Sequence, residues 1–152
     1  AFGACSELEK LQLGAGIKRI EKSAFCKCSS LKSVAIPGTV ESVGEGAFIA
    51  CSELEELQLG AGIKTIEKDA FAECVSLQSV VIPDSVEVVG ETAFAGCSRL
   101  NELRLGRGIK KIEKGAFRDC SSLRRVVLPS TLEALVRDAF DESVDLVVDD
   151  DM

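Results

Sequence analysis

Cysteine is the residue type in this chain with the most chemistry open to it, and its placement is regular. Cys5, Cys28, Cys51, Cys74, Cys97 and Cys120 recur every 23 residues, and Cys26 stands apart from that series. A thiolate can attack a substrate, hold a metal or close a disulfide. Attack needs an imidazole or a basic group beside the thiol; the chain has no His, and Lys27 next to Cys28 completes no triad. The chain therefore reads as a non-enzyme. A metal site at Cys26-x-Cys28 would have two ligands, with no partner pair and no His, so no metal or other cofactor is expected. Two readings of the column stay open: buried free thiols acting as small apolar residues, and disulfides between neighbouring repeats. Adjacent repeats can bring Cα atoms within the ~4.4–6.8 Å that a disulfide needs, but side chains in a parallel stack point the same way rather than at each other. Cys26 is expected to be the exposed cysteine.

The elements that position this column are set by a second series. Ala-Phe stands at Ala1-Phe2 and returns at Ala24-Phe25, Ala47-Phe48, Ala70-Phe71, Ala93-Phe94, Ala116-Phe117 and Ala139-Phe140, and every Phe of the chain belongs to it. A period of 20–50 residues marks one supersecondary unit that buries its apolar side only against its neighbours, which is a stacked solenoid. Counting each repeat from its Ala gives repeats 1–23, 24–46, 47–69, 70–92, 93–115 and 116–138, with a partial C-terminal cap at 139–152, all in one domain. Apolar residues recur at positions 8, 11 and 13, as in Leu31, Val34 and Ile36, so a strand carries 11 and 13 inward and 10 and 12 outward. Position 14 is Gly or Pro in every repeat (Gly14, Pro37, Gly60, Pro83, Gly106, Pro129), which should end the strand. A second apolar pair, such as Val40 and Val43, reads as a shorter extended segment on the opposite side. The Ala-Phe-x-x-Cys stretch is expected to form a short helical or 3₁₀ turn that closes each coil.

The Leu-x-x-Leu-x-Leu spacing at positions 8, 11 and 13 resembles a leucine-rich repeat. With the Ala-Phe pair and the Cys, Leu and Pro phases, as in Cys74-Val75-Ser76-Leu77-Gln78-Ser79-Val80-Val81-Ile82-Pro83-Asp84-Ser85-Val86, it is similar to the 23-residue BspA-like class over essentially the whole chain. Position 16, commonly Asn in leucine-rich repeats, is Gly16, Thr39, Gly62, Ser85, Gly108 and Thr131 here, so no asparagine ladder is expected. The resemblance implies microbial cell-surface proteins that bind other proteins, and it brings no catalytic residues. The expected fold is a mostly β repeat solenoid of α/β type. It would be right-handed, with one parallel sheet on one side and short extended segments and helical turns on the other.

A longer period lies over the first. Odd repeats read Gly-Ile-Lys-x-Ile-Glu-Lys, even ones carry Pro with Val-Glu or Leu-Glu, so the unit is a 46-residue pair. Position 18 then runs Lys18, Glu41, Lys64, Glu87, Lys110, Glu133, and position 22 runs Lys22, Glu45, Lys68, Glu91, Lys114. At ~4.8 Å between coils, each lysine lies between glutamates, and a one-coil slip would oppose like charges.

Charge is also uneven along the axis. Residues 1–92 carry net −6, residues 93–137 net +6 and residues 138–152 net −7. An overall −7 argues against the phosphate binding that a nucleic-acid partner requires, and no apolar run reaches the ~18 residues of a membrane span. Outward sheet positions hold Gln12, Ala35, Glu56, Gln58, Ser79, Val81, Glu102, Arg104, Arg125 and Val127, with Arg124 at the strand entrance. Arginine reads carboxylates bidentately, so a protein partner of this face is expected at the Arg104, Arg124, Arg125 end. At the other end, Phe2, Leu11, Leu13, Ile17 and Ile20 carry no cap, which points to upstream repeats or a stacked neighbour. The chain opens without Met on a repeat boundary and reads as an excerpt or processed product. After Phe140 the pattern decays: Ser143 replaces Cys, Asp149 and Asp151 fall on inward phases, and Leu146-Val147-Val148 can form a shifted edge strand. Function is expected to be protein recognition, adhesin-like, through the sheet face. The alternative is a structural subunit packed between larger partners by its open end and charged flanks. Family resemblance leans to the cell surface and the unpaired cysteines to a reducing compartment.

Overall fold

The computed structural model describes residues 5–135 and 138–149. The chain winds as a parallel β-solenoid in which each coil contributes a longer and a two-residue strand. These are β1 (Lys10–Gln12) and β2 (Arg19–Ile20), β3 (Ser33–Ile36) and β4 (Ser42–Val43), β5 (Glu56–Leu59) and β6 (Thr65–Ile66). The series continues as β7 (Ser79–Val81) and β8 (Val88–Val89), β9 (Glu102–Arg104) and β10 (Lys111–Ile112), β11 (Arg125–Pro129) and β12 (Ala134–Leu135), then β13 (Asp145–Asp149). Registers are in phase with the sequence period, as Leu11 opposite Val34 and Val34 opposite Leu57 show. Most inward positions are buried, Val34, Ile36, Val80 and Ile82 among them, while Leu57 and Leu59 of β5 are half-buried.

The two sides exchange the roles expected of them. The short segments form one unbroken six-stranded sheet from β2 to β12, whereas the longer strands form three sheets: β1-β3-β5, β7-β9 and β11-β13. The single parallel sheet expected on the strand side is thus interrupted between β5 and β7 and between β9 and β11.

Glycine placement gives the physical reason for a paired unit. A Cβ on Gly60 or Gly106 would lie 2.5 Å from backbone atoms of the preceding Pro coil, and one on Gly62 would collide with the Gly38 carbonyl. Odd coils therefore settle closely onto the even coil before them. Even coils attach to the odd coil before them differently, through Gly44 and Gly90 and through side-chain hydroxyls. Ser76 and Ser122 donate at 2.7 Å to the Ser52 and Ser98 carbonyls, and Ser85 and Thr131 at 2.7 Å to those of Ile63 and Arg107. Ser85 and Thr131 stand at position 16, where an asparagine ladder would run. Both sheet interruptions fall at interfaces of this second kind.

Among the described residues there is no helix, which corrects the expected helical turn after Ala-Phe. Backbone donors alternate there between two targets. Ala24, Cys26 and Cys28 N–H groups donate to carbonyls three residues back, while Ser23, Phe25 and Lys27 donate to Glu45, Ala47 and Ile49 of the next coil at 2.7–2.9 Å. A helix would have to keep both sets within one coil. Left-handed residues on each side of the pair redirect the chain: Ser23, Asp69 and Thr92 before it, Lys27, Ala50, Glu73 and Asp119 after it, all with φ between 53° and 61°.

The Phe column is the spine of the core. Rings from Phe25 to Phe140 stack with centroids 5.0–5.2 Å apart and planes within 15°, and burial of each contributes ~1.5–3 kcal/mol. The last coil keeps Phe140 beside Phe117 but shortens the loop that follows, because Arg125 pairs with Asp145. That shift corrects the phase of the tail. Leu146 and Val148 lie beside the inward residues Val126 and Leu128, and Asp149 beside Pro129, not inward.

Candidate strand-face interaction surface

Two side-chain arrays could carry function, the cysteine column and the outward strand face. The column is internal chemistry. None of the seven cysteines is in a disulfide; Cys28, Cys51, Cys74, Cys97 and Cys120 are buried, and Cys5 and Cys26 are half-buried, so Cys26 is less exposed than expected. The disulfide reading is set aside because the sulfurs are aimed elsewhere. Cys51, Cys74, Cys97 and Cys120 Sγ–H groups donate at 3.3–3.4 Å to the Phe carbonyl of the preceding coil. The thiol therefore serves as a donor as well as a small apolar group. Burial pushes the Cys51 thiol up to about 12 from an ordinary 9.0 and holds Cys74 well above that value, while Cys97 is raised first by its hydrogen bond with Cys120 and then by burial. Such thiols are poor nucleophiles. Among the described residues no three Cys, Asp or Glu side chains converge to hold a metal.

On the strand face the sequence phases translate directly into rows. One outward row runs Lys10, Ser33, Glu56, then Ser79, Glu102, then Arg125, Asp145; the other runs Gln12, Ala35, Gln58, then Val81, Arg104, then Val127, Val147. Ala35 is half-buried; Gln12, Glu56, Gln58, Ser79, Glu102, Arg124 and Arg125 are exposed. Val81 is 60% and Val127 42% exposed, and the Arg104 side chain is 75% exposed, its Nε 4.0 Å from Glu102 Oε1. Beside the interruption between β9 and β11 lies a shallow groove lined by Leu103, Leu105, Arg104 and Val127. Sequence periodicity does not reveal that groove, although the alternation of Gly and Pro at position 14 marks where the coils differ.

At the N-terminal end Leu11, Leu13 and Ile17 are half-buried, whereas their counterparts Val34, Ile36 and Val40 are buried; Ile20 is buried. Phe2 lies outside the described residues. In the charge columns Lys22 meets Glu45 and Lys110 meets Glu87, each at 3.4 Å, and successive position-18 backbones are hydrogen-bonded along the whole series from Lys18 to Glu133. The residues stack as their phases predict. The ion pairs are exposed, so each contributes ~0–1 kcal/mol. Asp150, Asp151 and Arg137 fall outside the described residues.

Comparison with known proteins agrees with this geometry. A leucine-rich repeat protein of T. pallidum is 30% identical with a TM-score of 0.77, over 96% of this chain and 74% of that one. A leucine-rich cell surface protein of Faecalibacterium prausnitzii is 34% identical with a TM-score of 0.74 over 77% of this chain; the match spans 31% of that protein's length. The pneumococcal vaccine antigen PcpA, at 16% identity and a TM-score of 0.75, shares the fold. A search of curated proteins finds no match. The sequence profile of the BspA type leucine rich repeat region matches residues 18–147 in 6 copies. With phenylalanine spine, strand phases and coil length all in that pattern, the chain belongs to the BspA-type leucine-rich repeat family.

Proposed function

We propose that the protein is a recognition module that binds another protein through its outward strand face, at the end that carries Arg104, Arg124 and Arg125. The observation that carries this reading is the exposure there of aliphatic and arginine side chains together, Val81 and Val127 with Arg104. Aliphatic contact supplies burial and the guanidinium supplies directional bonds to carboxylates, the combination found at interface anchors. The likeness to a cell surface protein supports an adhesin-like setting. No helix of the described residues is long and apolar enough to cross a membrane. Crosslinking mass spectrometry in the native source names the partner. Arg104→Glu with Arg125→Glu then weakens its binding at least tenfold, whereas Lys68→Glu, on another side of the coil, leaves it unchanged. Equal binding by all variants overturns the proposal.

A second reading rests on the half-buried Leu11, Leu13 and Ile17. A neighbour stacked on that end makes the chain a structural subunit of a larger assembly. Crosslinks concentrated on Lys10, Lys18 and Lys22, in a stoichiometric complex that resists salt, favour it over the first.

A further inference from the structure

We infer that the partner of the strand face is a second copy of this chain, docked face to face with its coil order reversed. The inference rests on the reading of the strand face as the binding surface and adds who occupies it. Its basis is charge complementarity within one face. Glu55 and Glu56 are exposed at β5 and Arg124 and Arg125 at β11, while between them β7 and β9 carry the most exposed aliphatic of the face, Val81. The face thus sets its acidic pair and its basic pair on either side of Val81 and the exposed Glu102–Arg104 pair.

Two copies can meet on this face about a two-fold axis along the solenoid or about one along the strands. The first sets each coil against its own copy with strands antiparallel, so the Glu55-Glu56 coil faces its like, as does the Arg124-Arg125 coil, and neither pair meets its opposite. The second keeps strand direction and reverses coil order. With its axis between β7 and β9, Glu56 meets Arg125, Gln58 meets Val127, Val81 lies along the Arg104 stem, and Ser33 meets Asp145. The same rotation brings the β5–β7 interruption of one copy onto the β9–β11 interruption of the other. The shared surface is small: six coils at ~4.8 Å and about four residues at ~3.3 Å cover roughly half of the ~800 Å² per partner typical of stable complexes. The dimer is accordingly weak, reversible and salt-sensitive.

Sedimentation velocity on the full chain across concentration at low salt shows a monomer–dimer equilibrium that shifts to monomer in ~0.5 M salt. Glu56→Arg and Arg125→Glu each weaken it at least tenfold, and mixing these two variants restores dimer as a heterodimer, because each then supplies the charge the other lacks. Both residues are exposed, and circular dichroism confirms that the variants fold. A chain that stays monomeric throughout overturns self-association while leaving the face open to a different acidic partner. A dimer indifferent to both reversals, or one that mixing does not restore, overturns this geometry. If Arg104→Glu with Arg125→Glu is equally silent in partner binding, the strand-face reading falls with it.

Discussion

Left-handed backbone at ordinary L-residues is the clearest local strain in the molecule. Ala50 has φ 61° and no polar side chain to offset it. The left-handed region costs an L-residue ~1–2 kcal/mol, and the extra freedom of Gly in the unfolded chain returns ~0.4–1. Ala50→Gly should therefore raise stability by ~0.5–1 kcal/mol, read as a higher urea midpoint; a lower midpoint refutes the strain. The buried thiols make a second prediction at this scale. Unfolded, each loses its proton near 9.0; folded, Cys51 holds it to about 12. Between those values the native state retains protons that the unfolded chain has released. Stability is then complete below pH ~9 and declines as pH rises toward ~12, at up to ~1.4 kcal/mol per pH unit for each such thiol. Cys51→Ser keeps a donor for the Phe25 carbonyl and does not titrate, so it should flatten that alkaline decline. Urea midpoints from pH 8 to 11 in both proteins decide it, and parallel profiles contradict the assignment.

Coils are joined by two alternating interfaces, and each has glycines where a Cβ would meet backbone of the coil before. Gly62 sits where any Cβ meets the Gly38 carbonyl, whereas a Cβ on Gly14 has nothing within 4 Å. Backbone cannot yield as a flexible side chain can, so Gly62→Ala should cost ~2 kcal/mol or more. Gly14→Ala should change stability by less than ~0.5 kcal/mol. Equal effects in thermal denaturation would show that close approach is not what selects glycine here. The interrupted strand side follows from the same alternation. Coils that settle on a Pro turn pair their longer strands, and at the opposite interface two of three such ladders are lost.

Stability of the whole solenoid is the sum of such neighbour contacts, which makes its ends decisive. The last coil covers the spine with Phe140 and lays Leu146 and Val148 beside Val126 and Leu128; these two remain 38% and 56% exposed. Truncation after Asp138 strips Phe117 of its stacked neighbour and bares a fully buried ring. The shortened chain should aggregate or lose most of its thermal transition, seen by light scattering and calorimetry. Full solubility with an unchanged transition would mean that the tail is no cap.

Periodicity alone determined the coil length, the inward phases from Leu31 to Leu128, the phenylalanine spine and the cross-coil columns of Lys and Glu. In a parallel stack the residue 23 places on is the spatial neighbour, so phase is position. Three-dimensional packing decided what phase does not encode. It chose turns over helix after Ala-Phe, because backbone donors there are shared with the next coil. It aimed each thiol at a carbonyl, since only the assembled stack brings Cys51 to Phe25. It also moved the last strand to Arg125–Asp145 pairing, because that register pairs Arg125–Pro129 along its whole length and sets Leu146 and Val148 beside Val126 and Leu128.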